Sequence, residues 1–517
     1  MSAFIDARSL AADTVVTTDV GVIGAGAAGI TIARDLAGTR SDVCLVESGG
    51  FEPDPETQDL YRGDVVGRPY LPLEASRLRY FGGSTNHWAG WCAPLDALDF
   101  ETREWVPGSG WPISRSDLVP FYERAQRTLQ LADFEYDAEA WATSGRPDVA
   151  FAGDVGSAMW QFSPPTRFGD VYREELEQAS NVRVFHHANM TAFATTPAGD
   201  HVDAVTFETL EGSSFRIVAR TFVLACGGIE NARILLLAND EGGSGLAIAG
   251  DDVGRYFMEH AHVTTGMCVV ADPNASLDLY ASRARRRLFD GDGILARIES
   301  RITATEYVPR PVATRGGLRI SDDAQRRDGL LNAVGILVSP RSPEAMTRHV
   351  HNTVSHAADP EEHALEAYDV RLQLEQAPNR DSRVTLGDDR DTLGLRRARL
   401  DWRLSELDTH TVVRATYLVA RALGQIDLGR LRIDEWLRND PESFEGAYGG
   451  NHHIGTTRMS DDPKSGVVDR DCRVHGVSNL FVAGSSVFPT GGFANPTLTL
   501  TALAHRLADH LADVSTA

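Results

Sequence analysis

Two side chains near the end of the chain have the chemistry to take hydrogen from an alcohol. His452 stands in Asn451-His452-His453-Ile454-Gly455, which leads into Thr456-Thr457-Arg458-Met459, and Asn495 opens Asn495-Pro496-Thr497-Leu498-Thr499. Alcohol oxidation removes a hydroxyl proton and a carbon-bound hydride. An imidazole titrates near neutrality and suits the proton. A carboxamide N–H suits the oxygen as its negative charge grows. No side chain accepts hydride, so a redox cofactor is required. By residue type alone His453 competes with His452 for the role of base.

A strand and a helix must bring these groups together. Leu480-Phe481-Val482-Ala483 reads as a buried strand that breaks at Gly484-Ser485-Ser486. Asn495 followed by Pro496 predicts a helix start, because Asn caps and Pro fits a first turn whose N–H would be unpaired anyway. The free amides and positive end of that helix suit a group that becomes negative. Read only as structure, the same segment is a strand and a helix that close a core.

The cofactor has its own signal at the other end of the chain. The strand pattern Val20-Gly21-Val22-Ile23 runs into Gly24-Ala25-Gly26-Ala27-Ala28-Gly29, helical spacing follows over 30–36, and a second strand over 42–46 ends in Glu47. This is a complete dinucleotide fingerprint. Gly24 permits the tight turn, Gly26 lets the backbone meet a pyrophosphate, Gly29 lets the helix pack on the sheet, and Glu47 can bind ribose hydroxyls. The fingerprint alone does not choose between NAD and FAD. Gly82-Gly83-Ser84-Thr85-Asn86-His87-Trp88-Ala89 suits a backbone lying against a flat ligand or its phosphates.

Further along, helices are expected over 117–131 and 172–179, and a strand over 182–185 runs into His186-His187-Ala188-Asn189-Met190. The paired histidines lack a third ligand at suitable spacing and read as loop residues. A hairpin over 202–207 and 215–218 precedes a strand ending in Cys226-Gly227-Gly228, which returns the chain to the nucleotide sheet. From about 261 to 444 strand patterns such as 316–320, 332–338 and 382–386 alternate with charged loops. The basic run Arg283-Ala284-Arg285-Arg286-Arg287 reads as a solvated face. His349, His351, His356 and His363 fall in an expected helix over 343–367, without the partners a metal would need. The fold class is therefore α/β. Residues 1–130, 180–260 and 445–517 form a discontinuous Rossmann-type domain, and 131–179 and 261–444 form an α+β substrate domain with a mainly antiparallel sheet.

Asp plus Glu total 73 against 50 Lys plus Arg, for a net charge of −23. That balance opposes nucleic-acid binding, which draws its affinity from phosphate neutralisation. It serves solubility and leaves room for a cationic substrate, as do Asp440, Glu442 and Glu445 just before the histidine pair. The five cysteines are far apart and contain no CxxC, which fits a reducing cytoplasm. No secretory signal or membrane span is evident, so a cytoplasmic location is expected.

Together, Gly24 to Gly29 with Glu47, Gly82 to Trp88, Cys226-Gly227-Gly228-Ile229-Glu230, Val253-Gly254-Arg255-Tyr256-Phe257-Met258-Glu259-His260 and the segment from His452 to Thr499 resemble the glucose–methanol–choline (GMC) flavin oxidoreductases. The form of these motifs is similar to the sugar-oxidising branch, with its pyranose oxidases and glycoside 3-oxidases. The resemblance implies FAD. Gly24, Gly26, Ala28 and Gly29 would cradle the pyrophosphate, and Glu47 would meet the adenosine ribose. Gly83, Met190 and Gly227 would lie against the cofactor, Met190 beside the adenine. Thr85, Asn86, His87 and Ala89 would lie along the isoalloxazine, and Ser485, Pro496 and Thr497 at its pyrimidine edge. His87 is the position that some members bond covalently to the flavin. The family spacing to Gly455-Thr456 selects His452 as base, with Asn495 beside it and hydride passing to flavin N5. The implied substrate is a polyol, sugar, glycoside or aminosugar. The implied acceptor is oxygen, a quinone or a protein. A lyase on the same fold and a nicotinamide dehydrogenase are the competing readings.

Overall fold

The computed structural model describes residues 3–151, 153–240, 245–271, 276–281, 313–338 and 367–516. The basic run at 283–287 and the four histidines between 349 and 363 lie outside them.

A parallel sheet carries the fingerprint. Strand Thr14–Ile23 runs between Val43–Val46 and Ser214–Leu224, parallel to both. Val182–His186 and Phe4–Asp6 extend one flank in parallel. Val202–Glu208 and Asn189–Thr195 extend the other as antiparallel strands. Leu480–Val482 adds in parallel beside Phe222, Val223 and Leu224. Strand Ser214–Leu224 joins the expected hairpin arm to the expected glycine-ended strand. Its first half alternates between buried and exposed residues and its last four residues are all buried. One face is open where it pairs with the hairpin, and both faces are covered where it joins the parallel core.

Helix Ala27–Leu36 and the closing helix Thr497–Thr516 pack together, and Arg115–Thr128 packs on the closing helix. A polar knot pins the three. Arg124 donates to Asp35 at 2.6 Å and to Asp509 at 2.7 Å, while His505 Nδ1 lies 2.5 Å from Asp35 Oδ2. Apolar packing supplies most of the cohesion, through Ile30, Ala33, Leu498, Ala502 and Leu507.

The second large sheet is antiparallel throughout. Its order is Gly429–Ile433, Ala261–Val270, Ala367–Leu374, Ala333–Val338, Ala313–Ile320, Val155–Phe162 and Trp91–Cys92, with Tyr448–Gly449 paired to the start of Ala261–Val270. Trp91–Cys92 and Tyr448–Gly449 fall within ranges expected in the nucleotide domain, yet both pair in this sheet. Helix Glu406–Gln425, which was not expected from the sequence, buries Val412, Leu418, Val419 and Leu423. A small third sheet joins Asp64–Gly67 to Arg396–Trp402 and Arg383–Arg390.

The halves meet where the site lies. Segment 253–260 leads from the nucleotide side into strand Ala261–Val270. Met258 exchanges both backbone bonds with Ile454, at 2.9 and 3.1 Å. That bridge fixes the histidine loop against the second sheet.

Candidate active site

A cavity of about 1290 Å³ is lined by residues of both large sheets. This exceeds the ~300–1,000 Å³ of common small-ligand pockets and suits a cofactor plus a substrate.

Gly24, Gly26, Ala28 and Glu47 line it on the side of the parallel sheet, with Met190 and Gly227. Gly24 has φ +103°, and a Cβ there would sit 2.6 Å from the Ala225 carbonyl oxygen, so only glycine fits. A Cβ on Gly26 would meet nothing within 4 Å, so the backbone of the helix start is open to a ligand. No side chain caps that helix, and its first amides are free to bind phosphate. Gly29 does not line the cavity. A Cβ there would fall 1.9 Å from the Gly24 carbonyl oxygen, so it packs the helix on the turn. Glu47 accepts from the Ala25 N–H at 2.9 Å and the Gly49 N–H at 3.1 Å, and burial raises its pKa.

Gly83, Thr85, His87 and Ala89 line the cavity, and Asn86 does not. Its Nδ2 donates to the Phe81 carbonyl at 2.9 Å, holding the glycine turn. The Thr85 hydroxyl donates to the Gly82 carbonyl at 2.6 Å. His87 is exposed, and burial by its neighbours together with the Arg167 charge lowers its pKa. Tyr61, Arg77 and Arg79 also line this side, and no motif singled them out. Both arginines pair with buried Glu230, which also binds Arg233. Burial opposes the Glu230 charge, but Arg233, Arg79 and Arg77 outweigh it and hold the pKa at about 2.

His452, Asn495, Ser485, Pro496 and Thr497 form the facing wall. His452 and Asn495 meet across a sequence distance of 43 residues, with Nε2 of the ring 3.0 Å from the amide Nδ2. The other ring nitrogen, Nδ1, lies 2.8 Å from Nδ1 of His260. Burial, with the nearby His260, His262 and His453, pushes the His452 pKa well below the usual value, so the ring is neutral and able to accept a proton. His453 turns elsewhere. Its Nε2 lies 3.0 Å from the Tyr70 hydroxyl, which itself donates to Glu259 at 2.5 Å. That hydroxyl has one proton, so His453 is the donor in their contact. Burial pushes the His453 pKa to about 3.

Glu259 anchors the histidine loop. Its Oε1 accepts from the His452 backbone N–H at 2.7 Å and from Tyr70. Its Oε2 accepts from the N–H groups of Gly450 at 2.8 Å and His260 at 3.0 Å. Burial raises its pKa to about 7 against the pull of those donors. Gln373, Arg371, His262, Tyr448 and Asn451 complete this side. Asp440, Glu442 and Glu445 are exposed and do not line the cavity.

Among the described residues, one group could hold a metal. Asp6, beside His186 in the parallel sheet, brings the third ligand atom to within 4.8 Å of the His186-His187 pair. Arg8 already takes both Asp6 oxygens, at 2.9 and 2.7 Å.

Two family models match the chain: an FAD dependent oxidoreductase over residues 19–245 and a GMC oxidoreductase over 378–504. The fructose dehydrogenase large subunit of Gluconobacter japonicus is 22% identical, covering 95% of this chain and 97% of its own. Paromamine 6'-oxidase of Streptomyces fradiae is 26% identical over 96% of this chain and 91% of its own. A solved fungal aryl-alcohol oxidase superposes with a TM-score of 0.61 at 13% identity, over 98% of this chain and 100% of that one. The glycine turns that open on the cavity and the uncapped helix start fit the FAD that these families bind.

Proposed function

The chain is a GMC-family, FAD-dependent oxidoreductase acting on alcohols, and from that premise we propose that it oxidises a hydroxyl group of a sugar, glycoside or aminosugar to the carbonyl. The observation that carries this reading is the approach of His452 Nε2 to Asn495 Nδ2 at 3.0 Å, on a wall of the cofactor-sized cavity. Bound FAD supplies the acceptor for the hydrogen on carbon. His452 takes the hydroxyl proton at Nε2, and Asn495 donates to the same oxygen as its charge grows. The start of helix Thr497–Thr516 adds positive potential on that wall. Gly24, Gly26, Ala28, Glu47, Gly83, Thr85, His87, Ala89, Met190, Gly227, Ser485, Pro496 and Thr497 bind the cofactor from the lining, and Gly29 and Asn86 shape the turns behind it.

A sugar suits the remaining lining, where Gln373, Asn451, Tyr448 and Arg371 offer polar contacts. Among the described lining residues the carboxylates are Glu47 and Glu230, both already engaged at the nucleotide side. A neutral sugar or glycoside therefore leads. The aminosugar reading draws on the acidic balance and on the named activity of paromamine 6'-oxidase.

The test is anaerobic bleaching of the flavin by a panel of neutral sugars, glycosides and aminosugars, with the product identified by NMR. Bleaching by simple alcohols but by no member of the panel overturns the substrate class. Admitting air, a quinone or an oxidised redox protein to the bleached enzyme separates the electron acceptors. Acid precipitation shows whether flavin stays bound to the chain through His87.

A further inference from the structure

Both ring nitrogens of His452 are engaged, and groups of fixed polarity set the direction of each bond. His260 is fully buried, and its Nε2 lies 2.8 Å from the Gly492 carbonyl oxygen and 3.4 Å from that of Gly491. A carbonyl only accepts, so Nε2 carries the ring proton. Burial keeps this imidazole neutral, which leaves its Nδ1 bare. The bare Nδ1 faces Nδ1 of His452 at 2.8 Å, so His452 must be the donor there. A neutral His452 protonated on Nδ1 has an unprotonated Nε2.

The other side of the site agrees. Gln373 Nε2 donates to the Phe493 carbonyl at 2.6 Å and to Asn495 Oδ1 at 3.3 Å. This turns the Asn495 amide so that Nδ2 faces His452, where its N–H meets the bare Nε2 at 3.0 Å. The chain of bonds starts on the Gly492 carbonyl and ends on the Phe493 carbonyl, two neighbouring peptides of one loop.

We infer that His260 and Gln373 are positioning residues that order the protons of this chain, so that His452 meets the substrate with a bare Nε2 and Asn495 with an N–H. The inference rests on the reading of His452 as the base. The opposite tautomer would set the Nε2–H of His452 against the Asn495 N–H and leave no base. On reaction the substrate O–H bond breaks and an Nε2–H bond forms. His452 is then an imidazolium whose Nδ1–H still donates to His260. The ionisable groups facing His452 are His260, His262 and His453, with the Glu259 carboxylate on its backbone N–H. None offers the ring an anionic partner, so a neutral imidazole takes the acceptor role that an aspartate takes in a serine protease triad.

The test compares three variants that retain bound FAD. His260→Leu removes the acceptor and should slow flavin reduction at saturating substrate by about 10²-fold or more. His260→Asn places its Oδ1 where Nδ1 stood and should recover most of that loss. His260→Gln keeps the bond to Gly492 but not the acceptor, and should not recover. Independently of turnover, ¹⁵N spectra of the histidine-labelled oxidised wild-type enzyme should show Nδ1 of His452 protonated and Nε2 bare, the signal being assigned by its loss in His452→Asn. A protonated Nε2 on His452, or wild-type flavin reduction in His260→Leu, overturns the inference. If His452→Asn itself reduces flavin normally, the base assignment has failed instead.

Discussion

Replacing the imidazole of His452 should cost the site more than any other single change. His452→Ala is expected to lower the flavin reduction rate by about 10²–10⁴-fold while FAD remains bound, read by anaerobic stopped flow. Asn495→Leu removes the N–H proposed to meet the developing charge and should cost about 10²–10³-fold, with substrate binding less affected. At this scale the sequence was informative where chemistry and spacing coincide. The glycines of the first turn were legible from their pattern, whereas residue type alone left His452 and His453 in competition and the spacing to Gly455-Thr456 made the choice between them. Tyr70, Glu259, His260 and Gln373 were not legible. Glu259 meets Gly450 across 191 residues, and Gln373 meets Asn495 across 122. No local pattern encodes a partner so far away, although Glu259 and His260 stood inside a recognised motif.

Among the elements, the histidine loop depends on one buried carboxyl. Glu259 takes four donors, and a glutamine would turn an N–H toward some of them. Glu259→Gln should destabilise the protein by about 1–3 kcal/mol. The pH dependence has a definite sign. The folded pKa is about 7, above the ordinary 4.5. Above pH 4.5 the unfolded chain ionises this group while the folded chain resists. The contribution is therefore complete at low pH and lost as pH rises through 7, of order 3 kcal/mol in all. Urea unfolding at pH 5 and pH 8 should show the deficit of Glu259→Gln shrinking as pH rises. In the parallel sheet the apolar runs at 20–23, 42–46, 182–185 and 480–483 and the alternation over 202–207 were readable as strands, whereas in the second sheet the patterns singled out cover only Ala313–Ile320 and Ala333–Val338. Helix Glu406–Gln425 was overlooked, although Ser405 and Asp408 form a capping box at its start. Strand Ser214–Leu224 was read as two because alternation gives way to continuous apolarity at its middle, where its cover changes.

For the whole molecule, the pair Arg103–Glu375 ties distant parts of the fold with no solvent contact on either side chain. Its two bonds measure 2.6 and 2.8 Å, and Glu375 also accepts from the Asn332 N–H at 2.9 Å. Burial raises the Glu375 pKa, but Arg103 outweighs it and the net shift is downward. Glu375→Ala strands a buried guanidinium and should cost about 3–5 kcal/mol, seen as a large fall in thermal midpoint. Glu375 also bonds the backbone of Gly492, whose carbonyl anchors His260, so surviving protein should reduce flavin more slowly. The discontinuous nucleotide domain was expected because the strand ending in Cys226-Gly227-Gly228 reads as a return of the chain to the nucleotide sheet. The seating of Trp91–Cys92 and Tyr448–Gly449 in the other sheet was not, since strands of two residues leave no periodicity to read.

Strand Leu480–Val482 lies beside residues made more than 250 positions earlier. During translation the edge at 222–224 therefore waits open until the ribosome has nearly finished, and Asn495 arrives later still. A nascent chain can hold the glycine turn and its first helix, but it cannot bring Asn495 to His452. A chain ending before 495 is therefore expected to show no flavin reduction by alcohols, which anaerobic assay of such a truncation checks.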